Sequence, residues 1–149
     1  MKLLIIGDSH GNIANLKHVM GFAKSIKAVV VIHTGDWTDM KSVSTVLEYN
    51  IPLYSCLGNG DIHEDIKKEF KDFLEIEIDG LKIGITHGSR DISKYFSNKK
   101  LDIIFYGHIH SQDDGIHNGI RTIRPGALEN GINFAIFDTE TKMVEFIHE

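Results

Sequence analysis

The chemistry-bearing residues of this chain cluster beside glycines. They read Gly7-Asp8-Ser9-His10-Gly11-Asn12, His33-Thr34-Gly35-Asp36, Gly58-Asn59-Gly60-Asp61, Thr86-His87-Gly88 and Gly107-His108-Ile109-His110. Carboxylate, imidazole and amide oxygen are ligands for borderline divalent metals such as Mn²⁺, Fe²⁺, Zn²⁺ or Ni²⁺. The donors on offer are Asp8, His10, Asp36, Asn59, His87, His108 and His110. They are too many for one tetrahedral ion and suit two ions about 3.5–4 Å apart that share a carboxylate. His108 and His110 stand two apart, so an extended backbone would point them to opposite faces; a turn must bring both to one place. Taken singly, each donor has a plainer use: Asp8 and Asp36 as caps or Asx-turn residues, Asn59 as a turn residue, His10 and His87 as packed histidines. Their joint placement favours the metal reading.

That placement follows from the elements around them. Residues 3–6 are a continuous apolar run ending at Gly7, as expected of a strand buried on both faces. Ile13, Leu16, Val19, Met20 and Ala23 recur at helical spacing behind Asn12, a cap residue. Further buried strands are predicted at 28–32, 53–57 and 103–106, and helices at 42–49 (with Val43, Val46 and Leu47 inward), 62–73 and 90–98. Alternation at Leu74, Ile76 and Ile78, then Asp79-Gly80, then Leu81, Ile83 and Ile85, predicts a hairpin. Asn118-Gly119 marks a second hairpin, and 133–147 a third that turns near 139–142. The pattern is an α/β core with a mixed sheet, or two sheets, flanked by helices. Each motif sits just after a predicted strand, where ligands bind in open α/β sheets.

The ordered set Asp8-Ser9-His10, Gly35-Asp36, Gly58-Asn59, Thr86-His87-Gly88 and Gly107-His108-Ile109-His110 resembles the calcineurin-like metallophosphoesterases, and the short length resembles their small prokaryotic phosphodiesterase branch. The resemblance runs from Asp8 to Gly126. It implies a four-layer sandwich, two packed mixed β-sheets flanked by helices. It also implies one ion on Asp8, His10, Asp36 and His110 and a second on Asp36, Asn59, His87 and His108, with Asp36 bridging. Asp36, Asn59 and His87 are by the same resemblance the residues that carry catalysis. Two divalent cations against two carboxylates would leave the site positive, attract a phosphate and lower the pKa of a bridging water, which would attack phosphorus. Manganese is the first expectation for both ions, with iron, zinc or nickel as alternatives.

Many members of the family carry a histidine just after the metal-binding asparagine as general acid; here that residue is Gly60. Asp61 and His63 lie near enough in sequence to replace it. Loss of proton donation, worth roughly 10²–10⁴-fold, bears most on poor leaving groups, so diesters with acidic leaving groups are the expected substrates. Arg124-Pro125-Gly126-Ala127 departs from a common Asn-Pro-Gly-Ser-like turn, and Arg124 is either a phosphate contact or a rim charge. Arg90 has the same two readings. His33 either orients a ligand or makes a structural hydrogen bond, Trp37 walls the pocket or packs in the core, and Cys56 reads as a small buried hydrophobe. His18, His117 and His148 read as surface or packing residues. The competing functions are a weakly active protein-binding scaffold of the same fold, as in a eukaryotic membrane-trafficking coat, and a phosphomonoesterase.

Composition narrows the setting. The length of 149 residues fits one domain spanning 1–149. Sixteen Lys and Arg against 21 Asp and Glu give a net charge of −5 with no basic block, so stable nucleic-acid binding is not expected and a small phosphodiester is. The first residues lack a signal-peptide layout, and no apolar run nears the roughly 20 residues needed to span a bilayer. The single cysteine fits a reducing cytoplasm. A homodimer is a reasonable expectation from size alone.

Overall fold

The computed structural model describes residues 1–149. Strand β1 (Lys2–Ile6) leads into helix α1 (Ile13–Ser25), then β2 (Val30–His33), α2 (Met40–Leu47), β3 (Leu53–Ser55) and α3 (Glu64–Glu69). The β4 (Phe73–Ile78) and β5 (Leu81–Thr86) hairpin precedes α4 (Ser89–Phe96) and β6 (Ile103–Phe105). Two more hairpins, β7 (Gln112–His117) with β8 (Ile120–Pro125) and β9 (Asn133–Asp138) with β10 (Val144–His148), complete the chain. Two five-stranded sheets result, ordered β10-β9-β1-β2-β3 and β4-β5-β6-β8-β7. Both are mixed: β1, β2 and β3 run parallel with β9 antiparallel to β1, and β5, β6 and β8 run parallel with antiparallel strands at each edge.

Side-chain alternation sets the layers. Leu3, Ile5, Val30 and Ile32 of the first sheet meet Ile83, Ile85, Phe105 and Ile123 of the second in one buried cluster. From the opposite face of β1 and β2, Leu4, Ile6 and Val31 pack on Leu16, Val19 and Met20 of α1 and Val43 and Val46 of α2. Outside the second sheet, Ile104 and Tyr106 pack on Ile92 and Phe96 of α4. The order is therefore helices, sheet, sheet, helix, the four-layer sandwich expected. The apolar run at 3–6 is continuous because both faces of β1 are covered, and all its residues are buried.

Caps and turns follow their residue types. The Asn12 side chain accepts from the Asn15 N–H at the start of α1, and the Asp39 side chain accepts from the Ser42 N–H at the start of α2. Asp79-Gly80 and Asn118-Gly119 both take left-handed φ, 51° and 78° and then 50° and 79°, as two-residue hairpin turns require. Three expectations are corrected. The helix predicted over 62–73 is only Glu64–Glu69, because Phe70 is extended and Phe73 pairs with Thr86 in the β4–β5 ladder. Leu47 is 47% exposed, not inward. The strand predicted over 53–57 stops at Ser55, Cys56 making only an isolated bridge to Lys71.

Candidate metal centre

The loops after β1 and β2 run side by side. Asp8 N–H donates to the Gly35 carbonyl, His10 N–H to the Asp36 carbonyl and Gly11 N–H to the Trp37 carbonyl, each at 3.0 Å. These bonds hold a backbone that is otherwise unfavourable: φ is 47° at Asp8, 44° at His10, 67° at Asp36 and 74° at His108. Left-handed conformations at non-glycine residues cost on the order of 1–3 kcal/mol each and gather at functional sites. The turn needed to aim both His108 and His110 inward is the left-handed residue His108 itself. Its N–H donates to Asp8 Oδ2 at 3.1 Å, while Gly107 N–H donates to the His87 carbonyl at 2.8 Å.

All the donors singled out in the sequence converge. His87 Nε2 lies 3.0 Å from Asn59 Oδ1, 3.2 Å from Asp36 Oδ2 and 3.8 Å from Asp8 Oδ1. His108 Nδ1 is 3.1 Å from the same Asn59 Oδ1. His10 Nε2 is 3.4 Å from Asp36 Oδ2 and 3.9 Å from Asp8 Oδ1, and His110 Nε2 is 3.7 Å from Asp8 Oδ1. The ligand atoms fall into two groups, Asp8 with His10 and His110, and Asp36 with His87 and His108, each within 4.8 Å. Atoms that share an ion at about 2.0–2.2 Å stand roughly 3–4 Å apart, so these spacings fit a cation at each group. Asp8 Oδ1 is buried without any hydrogen-bond partner while facing the Nε2 atoms of His10, His87 and His110. A buried acceptor among nitrogens beyond hydrogen-bond reach is an arrangement a cation completes.

The surroundings orient these candidate ligands. His87 Nδ1–H donates to the Thr34 carbonyl at 2.7 Å, which turns the Nε2 lone pair into the cluster. Gly60 N–H donates to Asp36 Oδ1 at 2.7 Å and leaves Oδ2 toward the histidines. Burial pushes the Asp8 carboxyl up to about 6 against the pull of His87 and His110, with the charge of Asp36 adding to the rise. Burial also acts on Asp36, but the hydrogen bond and charge of His87, with Gly60 N–H and His10, outweigh it and bring that carboxyl down to about 2. His87 is raised in turn: burial opposes its charge, and Asp36 overrides burial.

Residues 1–142 match the calcineurin-like phosphoesterase superfamily domain. The chain belongs to that superfamily. It is 28% identical to a curated phosphodiesterase of Methanocaldococcus jannaschii, over 95% of each chain. The solved structure of an archaeal phosphodiesterase superposes with a TM-score of 0.84 at 28% identity, covering all of both chains. Vacuolar protein sorting 29 of Cryptosporidium parvum has the same fold, with a TM-score of 0.72 and 17% identity over 99% of this chain and 96% of its own. The expected superfamily and its small prokaryotic branch are thereby borne out.

The structure decides several open readings. Asp61 is not poised as a proton donor: it is buried, its Oδ2 accepts from Asp36 N–H at 2.9 Å and Gly58 N–H at 2.8 Å, and its Oδ1 accepts from Thr38 N–H at 2.9 Å. It clamps the loop carrying Asp36 to the loop carrying Asn59. His63 is exposed at the start of α3. His33 makes structural hydrogen bonds, to Ser9 Oγ at 3.0 Å and from Gly35 N–H at 3.0 Å, and burial pushes it well below its usual range. Trp37 is buried, stacks on His33 at 3.6 Å and donates to Ser55 Oγ, so it packs in the core. Cys56 is buried, and burial pushes its thiol up. Arg90 is exposed and lines a cavity of about 630 Å³ beside Asn59, His87 and His108. Arg124 is not a free rim charge, since Ser111 and Tyr106 take three of its N–H groups. His18 pairs with Glu149, His117 with Ser93 and His148 with Asn133, away from the cluster. Sequence reasoning missed Thr34, whose contribution is a backbone carbonyl and leaves no side-chain signal.

Proposed function

We propose that this metallophosphoesterase hydrolyses phosphodiesters at a centre of two divalent ions, manganese first among them. One ion is held by Asp8, His10, Asp36 and His110 and the other by Asp36, Asn59, His87 and His108. The ions supply Lewis acidity and offset the charge that develops on a phosphoryl group. The observation that carries the reading is the unpartnered, buried Asp8 Oδ1 inside a ring of imidazole nitrogens.

The chain's own groups account for the rest. Thr34 keeps the His87 Nε2 lone pair available, and Gly60 N–H keeps Asp36 oriented. The cavity beside Asn59, His87 and His108, with Leu57, Arg90 and Tyr95 on its walls, has room for an ester arm next to the donors. Gly60 leaves no side chain after Asn59 to protonate a leaving group, and Asp61 cannot turn to do so because three N–H groups hold it. Leaving groups stable as anions, such as aryl oxides, are therefore favoured. The lone buried Cys56 suits a reducing cytoplasm.

The test is hydrolysis of an aryl phosphodiester beside its monoester, with Mn²⁺ and with chelator. The expected result is metal-dependent turnover, faster on the diester, that Asp36→Asn lowers by roughly 10²–10³-fold, the scale of losing one electrostatic contact to a transition state. Alkyl monoesters turning over faster than aryl diesters would overturn the substrate class. Absence of turnover in protein that binds two ions would move the function to a binding scaffold.

A further inference from the structure

Arg124 lies in β8, outside the donor set, yet every polar contact of its guanidinium reaches the stretch that carries His108 and His110. Nε–H donates to the Ser111 carbonyl at 2.7 Å and Nη2–H to Ser111 Oγ at 2.9 Å, a two-pronged grip on one residue. Nη1–H donates to Tyr106 Oη at 2.9 Å, and the guanidinium lies over the Tyr106 ring, 5.3 Å from its centroid. Tyr106 and Ser111 are the two ends of the loop Gly107-His108-Ile109-His110. Arg124 thus ties both ends of that loop to one point on β8.

The two histidines differ in how else they are held. His108 is secured without Arg124, through its own N–H on Asp8 Oδ2 and the Gly107 N–H on the His87 carbonyl. His110 makes no such backbone bond; its ring approaches Asp8 Oδ1 at 3.7 Å and Glu129 Oε2 at 3.8 Å and lies 5.6 Å, centroid to centroid, from the His10 ring, without a hydrogen bond, and its side chain is 44% exposed. The next fixed backbone after it is Ser111, in the grip of Arg124. We infer that Arg124 is a positioning residue for His110, and through it for the ion held with Asp8 and His10, while the ion at Asp36, Asn59, His87 and His108 does not depend on it. This rests on the metal-centre reading above. A lysine cannot replace Arg124, because a single ammonium cannot span Ser111 and Tyr106 as the planar fork does.

The experiment is calorimetric titration of metal-free protein with Mn²⁺ for wild type, Arg124→Lys, Arg124→Gln, His110→Ala and His108→Ala, with thermal melts of each metal-free form. Wild type is expected to bind two ions. Both Arg124 variants are expected to weaken one site by roughly 10–100-fold, the usual effect of losing an outer partner of a ligand. The weakened site is the one His110→Ala removes, and the site that His108→Ala weakens keeps its affinity. Both sites unchanged in the Arg124 variants would overturn the inference alone. Equal loss at both sites, with a lowered melting temperature, would also overturn it by making Arg124 a general structural residue. Wild type that takes up no Mn²⁺ would overturn the metal-centre reading and this inference with it.

Discussion

Asp61 illustrates how much of this site rests on residues that touch no substrate. Its carboxylate accepts three backbone N–H groups, from Asp36, Thr38 and Gly58. Two of those residues are left-handed, with φ of 67° at Asp36 and 81° at Thr38. Hydrogen bonds to a charged acceptor contribute roughly 1.5–3 kcal/mol each, enough to hold both conformations. Asp61→Asn places an amide NH₂ against at least one backbone N–H, and the variant is expected to lose about 2–4 kcal/mol in urea unfolding. If Asp61 acted as general acid, the variant would instead keep its stability and lose activity selectively on alkyl esters. The clamp predicts the opposite pattern, with aryl and alkyl rates falling by the same factor.

At the scale of elements, the site exists because strand ends approach more closely than side chains allow. A Cβ on Gly35, whose φ is +99°, would stand 2.7 Å from the Gly58 nitrogen and 2.9 Å from His87 Nδ1. Gly80, at φ +78° in the β4–β5 turn, has nothing within 4 Å of the same atom. Gly80→Ala is therefore expected to cost only the conformational penalty of about 1–2 kcal/mol. Gly35→Ala should cost several kcal/mol by separating the β2 and β3 loops, and should weaken Mn²⁺ binding as well. Equal melting temperatures for the two variants would refute the crowding argument. These glycines also explain what was legible in the sequence. Strands, hairpin turns and ligand motifs are local signals, so Asp79-Gly80, Asn118-Gly119 and the glycine-flanked donors could be read directly. The helix predicted over 62–73 fails because Phe70 and Phe73 fit helical spacing equally well, and only pairing of Phe73 with Thr86 decides against it. The roles of Asp61 and Arg124 are not legible in the sequence because their partners, Asp36 and Tyr106, are distant along the chain. A carboxylate two residues after a ligand looks like chemistry until its acceptor sites are found to be filled.

Across the whole molecule, the candidate metal centre links stability to pH. Asp8 is an acid whose carboxyl is raised from 3.8 to about 6 in the fold. The folded chain therefore holds this proton more tightly than the unfolded chain, and stability without metal falls as pH rises from about 4 to 6. A gap of about two pH units corresponds to roughly 3 kcal/mol. His87, raised from its usual 6.5, adds stability below that value that is lost as pH climbs through its folded pKa. Asp36 acts the other way: lowered to about 2, it stabilises above about 4 and loses this contribution as pH falls further. Asp8 and His87 therefore weaken metal-free protein toward pH 8, while His33, pushed well below its usual range by burial, works the other way and costs stability as pH falls below about 6.5. Divalent ions require the deprotonated ligands, so their affinity rises over the same interval, and ligand at about 100 times its Kd adds roughly 2.7 kcal/mol. The melting temperature of wild type relative to Asp8→Asn, both in chelator, isolates the Asp8 contribution and should fall by about 5 °C or more from pH 4 to pH 7. Saturating Mn²⁺ should raise the wild-type value at pH 7 and leave the pH 4 value nearly unchanged. A difference between wild type and Asp8→Asn that stays flat from pH 4 to pH 7 would show that Asp8 does not carry the burial cost assigned to it.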